Sequence, residues 1–201
     1  MKNRIPIVLI FARLLIGGVL IILSAEHIDH YRVISITLLT IGLLTDILDG
    51  IIARWLKIST QNLRRLDSTV DQLFFLSVGF ASYIQCPDFF RSNSSFIIIL
   101  LGSEALCYLI CFLKFRREIA THSIGAKLWT LILFATLIEV MVHCTSDLLF
   151  TLFFWAGLLT RFEIIAIILI VKKWTTDVPT FYHAWKLRQG KEIKRHRFFN
   201  G

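Results

Sequence analysis

The chain has 201 residues, 56% of them hydrophobic and 18% charged. That much apolar surface excludes an ordinary soluble domain, and the continuously apolar runs exclude a membrane barrel, whose strands alternate apolar and polar residues. The formal net charge of +8 would suit nucleic acid in a soluble protein. Here the basic residues fall between and beyond the apolar runs, so the expected partner is a lipid bilayer and not nucleic acid.

Crossing the hydrocarbon core takes roughly 20 apolar residues in a helix. Six segments meet or approach that length, with ends uncertain by a few residues: Ile5 to Ser24, Val33 to Arg54, Leu63 to Gln85, Ser95 to Leu113, Ile124 to His143 and Leu148 to Val171. The first follows Met1-Lys2-Asn3-Arg4 and could be mistaken for a signal peptide. It is too long for that and is followed by no small-residue cleavage site, so it is read as a retained span. The second and third are joined by a short link and are expected to be antiparallel neighbours. Cys107 and Cys111 fall one turn apart within the fourth and read as small buried hydrophobes rather than ligands. Cys86 and Cys144 fall toward the far side, where a disulfide between them is left open. After Val171 the chain turns polar and basic. Residues 1–171 are therefore expected to form a transmembrane catalytic domain, and 172–201 a basic cytoplasmic tail.

Six spans put both termini on one side. Of the 22 Lys and Arg residues, 17 then lie on the side of the termini and 2 on the other, with Arg13, Lys127 and Arg161 inside the spans. The positive-inside rule makes the terminus side cytoplasmic, in an inner or cytoplasmic membrane. An odd number of spans would scatter the basic loops over both sides.

Four carboxylates interrupt these runs. Asp46 and Asp49 are three residues apart in the second span, and Asp67 and Asp71 are four apart near the start of the third. Each spacing puts both side chains on one helix face. The two pairs stand at matching distances from the link, roughly 12–18 Å along the helices at about 1.5 Å per residue. A charge near mid-membrane costs on the order of 2.5–3.5 kcal/mol on insertion scales, so intramembrane acids are functional by default. Without Cys or His, an all-oxygen set favours hard cations: Mg²⁺, Mn²⁺ or Ca²⁺. Paired ions suit displacement at phosphorus. Gly50 lets a ligand approach the backbone, and Arg54, one turn on, suits a phosphate. The rival structural reading is an ion-pair network in which Arg54, Arg64 and Arg65 neutralise the acids. A divalent-cation transporter or channel using the same acids is the rival function, but Glu104, Glu139 and Glu163 are scattered without the spacing of a transit path.

The stretch from Asp46 to Asp71, DILDGIIARWLKISTQNLRRLDSTVD, resembles the signature of the CDP-alcohol phosphotransferases, D-x2-D-G-x2-A-R-x8-G-x3-D-x3-D. Asp46, Asp49, Gly50, Ala53, Arg54, Asp67 and Asp71 match in type and spacing. Leu63 stands where the family has its second glycine, a position associated with room for the cytidine base. Near the N-terminus, Pro6 and Arg13 match the P-N-x-x-T-x-x-R of many relatives, but Ile7 and Ile10 replace its polar pair. The resemblance implies a helical membrane bundle that moves a phosphatidyl group from CDP-diacylglycerol to a small alcohol with release of CMP, working as a homodimer. It implies that Asp46, Asp49, Asp67 and Asp71 bind two divalent cations, Mg²⁺ or Mn²⁺, with Ca²⁺ as a substitute or inhibitor. Asp71 is also the expected general base. Gly50, Arg54 and Thr60 are expected at the CDP-lipid, Thr60 being equally readable as an ordinary loop residue.

The acceptor is less defined. Lys127, Arg161, Arg116 and Arg117 would suit a phosphorylated alcohol such as glycerol 3-phosphate or inositol phosphate. The plain alternative is that they snorkel to the interface or pair with Glu163. Gln72 stands where phosphatidylglycerophosphate synthases often carry lysine, so that acceptor is only weakly indicated.

Overall fold

The computed structural model describes residues 5–26, 30–56, 60–117, 119, 123–175 and 178–191, without the side chains of Arg54, Gln61, Asn62 and Arg64. The regular secondary structure among these residues is all helical. In chain order the elements are α1 (Ile5–Ala25), α2 (Tyr31–Trp55), α3 (Gln61–Gln85), α4 (Pro87–Ser92), α5 (Ser94–Phe115), α6 (Ile124–His143), α7 (Leu148–Ile170) and α8 (Phe181–Arg188). The six expected segments are α1, α2, α3, α5, α6 and α7, within a few residues at each end.

Five of these, all but α3, are long and apolar enough to cross a membrane. The sixth, α3, has the length, 25 residues, but carries Arg64, Arg65, Asp67 and Asp71 in its first half. Large side chains such as Leu15, Ile98 and Leu159 remain exposed on the spans. In a soluble protein such faces would be a liability; here they are the surfaces that meet lipid. Hydroxyls along the spans bond back to the carbonyl one turn earlier, as in Thr40 to Ile36, Ser82 to Val78 and Thr160 to Ala156. That local bond satisfies a polar group where no water is available.

The chain divides into two compact units, residues 1–91 with 137–145, and residues 92–136 with 146–201. In the first, α1 packs against both α2 and α3, which touch each other only slightly. The expectation of α2 and α3 as direct neighbours is thus modified: α1 supplies most of their shared surface. Glycine makes this close packing feasible. A Cβ on Gly17 would press on Ser77 at 3.2 Å, and one on Gly42 would enter the ring of Phe74. Phe74 is fully buried. At the other end of α3, the Gln85 amide donates to the Ser24 carbonyl at 2.6 Å. Cys86 and Cys144 are joined as a disulfide, which closes the question the sequence left open.

In the second unit α5 packs against α7 around Cys107, Cys111, Ile164 and Ile168. Both cysteines are free and buried, as expected of small hydrophobes. The Lys114 ammonium donates to the carbonyls of Ile168, Leu169 and Val171 at 2.8–2.9 Å, capping the exposed end of α7. The segment expected as a basic tail is partly folded. Val178 and Ala184 are fully buried against Ile167 and Val171, and the Ile124 amide donates to the Pro179 carbonyl at 3.1 Å. The short run from Phe181 to Arg188 is only 8 residues long and lies between Lys172-Lys173 and the basic stretch from Lys186 to Arg197, which is why the sequence reads as solvated there.

Candidate active site

The four aspartates converge in the first unit. The centre of the cluster is the guanidinium of Arg13, from α1. Its Nη1 lies 3.3 Å from an Asp46 oxygen and 3.2 Å from an Asp67 oxygen, and also contacts Asp71. Its Nη2 pairs with Asp49. Arg13 is 1% exposed. Asp49 is the most enclosed of the acids at 3% side-chain exposure, against 25–31% for Asp46, Asp67 and Asp71. The cluster therefore has a closed floor and an open mouth.

Local structure explains the convergence. Asp46 and Asp49 project from one face of α2 and Asp67 and Asp71 from one face of α3, as their spacing requires. Thr60 caps α3, its hydroxyl oxygen accepting from the Leu63 amide at 3.2 Å. Such a cap stabilises a helix start by about 1 kcal/mol. Thr60 thus fixes where α3 begins, and with it the phase of Asp67 and Asp71. Gly50 lies in α2 directly after Asp49. Arg54 is in the same helix, but its side chain lies outside the described residues.

The rival structural reading put neutralising arginines at Arg54, Arg64 and Arg65. The side chains of Arg54 and Arg64 lie outside the described residues, and a cation that reading did not name, Arg13, contacts all four acids. It stands 33 residues before Asp46 in sequence, and only the packing of α1 on both α2 and α3 brings it in. The available signal was a buried cation interrupting an apolar run, together with its match to the arginine of the N-terminal pattern.

The donor set fits a hard divalent cation. Asp46, Asp49 and Asp67 each offer an oxygen within 4.8 Å of the other two. All are carboxylates, the ligands such ions prefer. The guanidinium held among them shows that the enclosure is shaped for positive charge.

The candidate acceptor residues all belong to the second unit. Arg161 is buried, pairs with Glu104 at 2.9 Å and lies 3.7 Å over the Trp129 ring. The partner is Glu104 of α5, not Glu163, which sits against Gly125 instead. Arg116 and Arg117 are exposed and lie over the rings of Phe112 and Trp174 at 5.6 and 5.0 Å. Lys127 is exposed near the start of α6.

An all-helical membrane protein whose two neighbouring chain segments aim four carboxylates at one point belongs to the class of membrane enzymes that handle phosphorylated groups with divalent cations. The family model of the CDP-alcohol phosphatidyltransferases matches residues 3–171, and the chain belongs to that family. No curated protein and no solved structure matches it. The matched region runs from the start of α1 to the end of α7 and includes Arg13 and all four aspartates. Membership makes the chain an integral membrane protein of a divalent-cation-dependent family that transfers phosphatidyl groups from CDP-alcohols.

Proposed function

We propose that this protein transfers the phosphatidyl group of CDP-diacylglycerol to a small phosphorylated alcohol, releasing CMP at the cytoplasmic face of the membrane. The observation that carries the reading is the meeting of Asp46, Asp49, Asp67 and Asp71 at one point, in the order and spacing of the family signature.

In this reading Asp46, Asp49 and Asp67 hold the divalent cations, Mg²⁺ or Mn²⁺, with Asp71 at the edge of the set. Bound cations supply neutralisation of the diphosphate and of the leaving CMP. The residues themselves do the rest. Asp71, on the open side of the cluster, accepts the proton of the acceptor hydroxyl. The freed oxygen forms a bond to the phosphorus that bears the diacylglycerol, and the bond from that phosphorus to the CMP oxygen breaks. Asp49, on the closed floor, is the acid least open to water. Gly50 leaves room for the nucleotide beside Asp49, and Arg54 is assigned to its phosphates by its place in the signature. Thr60 acts mainly by capping α3.

The acceptor reading rests on charge. Lys127, Arg116 and Arg117 are exposed cations of the kind a phosphate ester requires. Arg161 has committed its charge to Glu104 and contributes less. A homodimer is the proposed assembly.

Two observations support the orientation. One is the excess of Lys and Arg on the side of the termini. The other is the disulfide between Cys86 and Cys144, at the opposite ends of the spans from the aspartate link. Disulfides persist in oxidising compartments, so that side faces away from the cytoplasm.

The test is purified protein with CDP-diacylglycerol, Mg²⁺ or Mn²⁺ and a panel of alcohols, read as CMP release. Release that requires one phosphorylated alcohol is expected. Absence of release with every alcohol, alongside Mn²⁺ uptake into proteoliposomes, would replace the transferase with a transporter.

A further inference from the structure

The guanidinium of Arg13 contacts all four carboxylates and stands among the oxygens a metal ion would have to use. We propose that Arg13 is a resident counter-cation that competes with divalent metal for the aspartate oxygens, so that loading the site requires its head group to withdraw. The proposal rests on the metal-dependent reading above and adds a step to it.

Three observations support it. The first is shared ligands. Arg13 reaches Asp46 at 3.3 Å and Asp67 at 3.2 Å, and also contacts Asp49 and Asp71. A Mg²⁺ or Mn²⁺ ion needs the oxygens of the same side chains at roughly 2.0–2.2 Å. The guanidinium fills the space between them, and like charges at such range repel strongly. The two cations exclude each other.

The second is charge balance. The single charge of Arg13, shared among four carboxylates, balances less of their charge than divalent ions would. Two divalent ions would match the four. The exchange is therefore driven toward metal, but the lost arginine pairing sets it back.

The third is incomplete anchoring. Arg13 Nε is buried and has no hydrogen-bond partner. An arginine locked permanently into a fold normally has its donors met. Here the stem is fixed on α1, where Gly17, one turn later, packs closely on Ser77. Among the described residues it is the carboxylates that hold the head group, and metal takes those carboxylates.

The experiment compares full-length wild-type protein with Arg13→Gln, Arg13→Ala and Arg13→Lys in lipid nanodiscs. Mn²⁺ binding is followed by the paramagnetic resonance signal of free Mn²⁺, and unfolding by a thermal scan with and without Mn²⁺. Removing the competitor should tighten Mn²⁺ binding by about tenfold in Arg13→Gln, within the usual range of site-to-site coupling. The same variant should unfold at lower temperature without Mn²⁺ and gain more from adding it. Low-millimolar methylguanidinium should weaken Mn²⁺ binding by Arg13→Ala and leave wild type unaltered, because only the variant has room for it. Arg13→Lys keeps the charge without the planar fork, and should tighten binding by about threefold. That variant decides the matter should the neutral ones fail to fold. Equal or weaker Mn²⁺ binding in the variants would overturn the proposal while leaving the function reading intact. A wild-type protein that binds no Mn²⁺ would overturn both.

Discussion

Asp49 is where the electrostatics of the cluster can be tested most sharply, because replacing it should move stability and metal binding in opposite directions. Its side chain is 3% exposed, and its oxygen lies within 4.8 Å of oxygens on Asp46 and Asp67. With the carboxylates ionised, each such pair repels by about 3 kcal/mol at an effective dielectric of 20. The pairing of Asp49 with Arg13 returns about 5 kcal/mol on the same scale. Asp49→Asn removes two repulsions and one attraction. The difference favours the variant by about 1–2 kcal/mol in the absence of metal, before counting the easier burial of a neutral amide. For a chain of this size that is a rise in Tm of about 2–8 °C. With Mn²⁺ the order reverses, since the variant has lost its most enclosed ligand. Thermal scans in EDTA and across a Mn²⁺ titration would measure both effects on one sample. A variant that is less stable in EDTA and yet keeps the full wild-type gain from Mn²⁺ would refute the reasoning, since the acids would then be a structural network and not a metal site.

Other perturbations separate the parts of the site from the scaffold. Asp71→Asn should lower the rate of CMP release by about 10²–10⁴-fold, the usual contribution of a positioned base, while retaining most of the Mn²⁺-dependent gain in Tm. Reducing the Cys86–Cys144 bridge, which spans 58 residues, should cost up to about 4 kcal/mol in the chain-entropy account. A membrane-impermeant reductant should reach that bridge from outside intact cells, as judged by thiol labelling. Lys114→Met should lower stability by about 1–3 kcal/mol through the three carbonyls it uncaps, with no change in Mn²⁺ affinity. Gly42→Ala should cost about 1–3 kcal/mol by forcing Phe74 from its seat, and the loss should appear in thermal scans with and without metal alike.

Much of this molecule is legible from its sequence for a physical reason. In a membrane, a spanning helix must announce itself by length and apolarity, so the ends of α1, α5, α6 and α7 fall close to where composition changes. The aspartates are legible because charges are rare there, and because spacings of three and four leave only one helix face. Arg13 shows the limit. Its helix phase is readable, but its partners depend on how α1 packs against α2 and α3, which is decided by small contacts such as Gly17 with Ser77 and Gly42 with Phe74. Arg161 shows the same limit. The sequence suggested Glu163 as a partner for it, and packing of α5 on α7 selects Glu104 instead. The segment from Val178 to Leu187 is hidden for a different reason. Its buried residues, Val178 and Ala184, are too few and too small to mark a helix in a stretch only ten residues long that is followed by a basic run.

The position of Arg13 also bears on why the site can be built at all. Four acids within membrane-spanning helices would oppose the assembly of α2 beside α3, since each pair of ionised oxygens at this range repels by about 3 kcal/mol. The slight direct contact between α2 and α3 and the extensive contact each makes with α1 fit a unit in which α1 brings both the apolar surface and the cation. The helix that carries none of the acids is thus the one that allows them to meet. That arrangement accounts for a buried arginine in a span otherwise filled with Ile, Leu and Val, where its insertion cost has no other visible return.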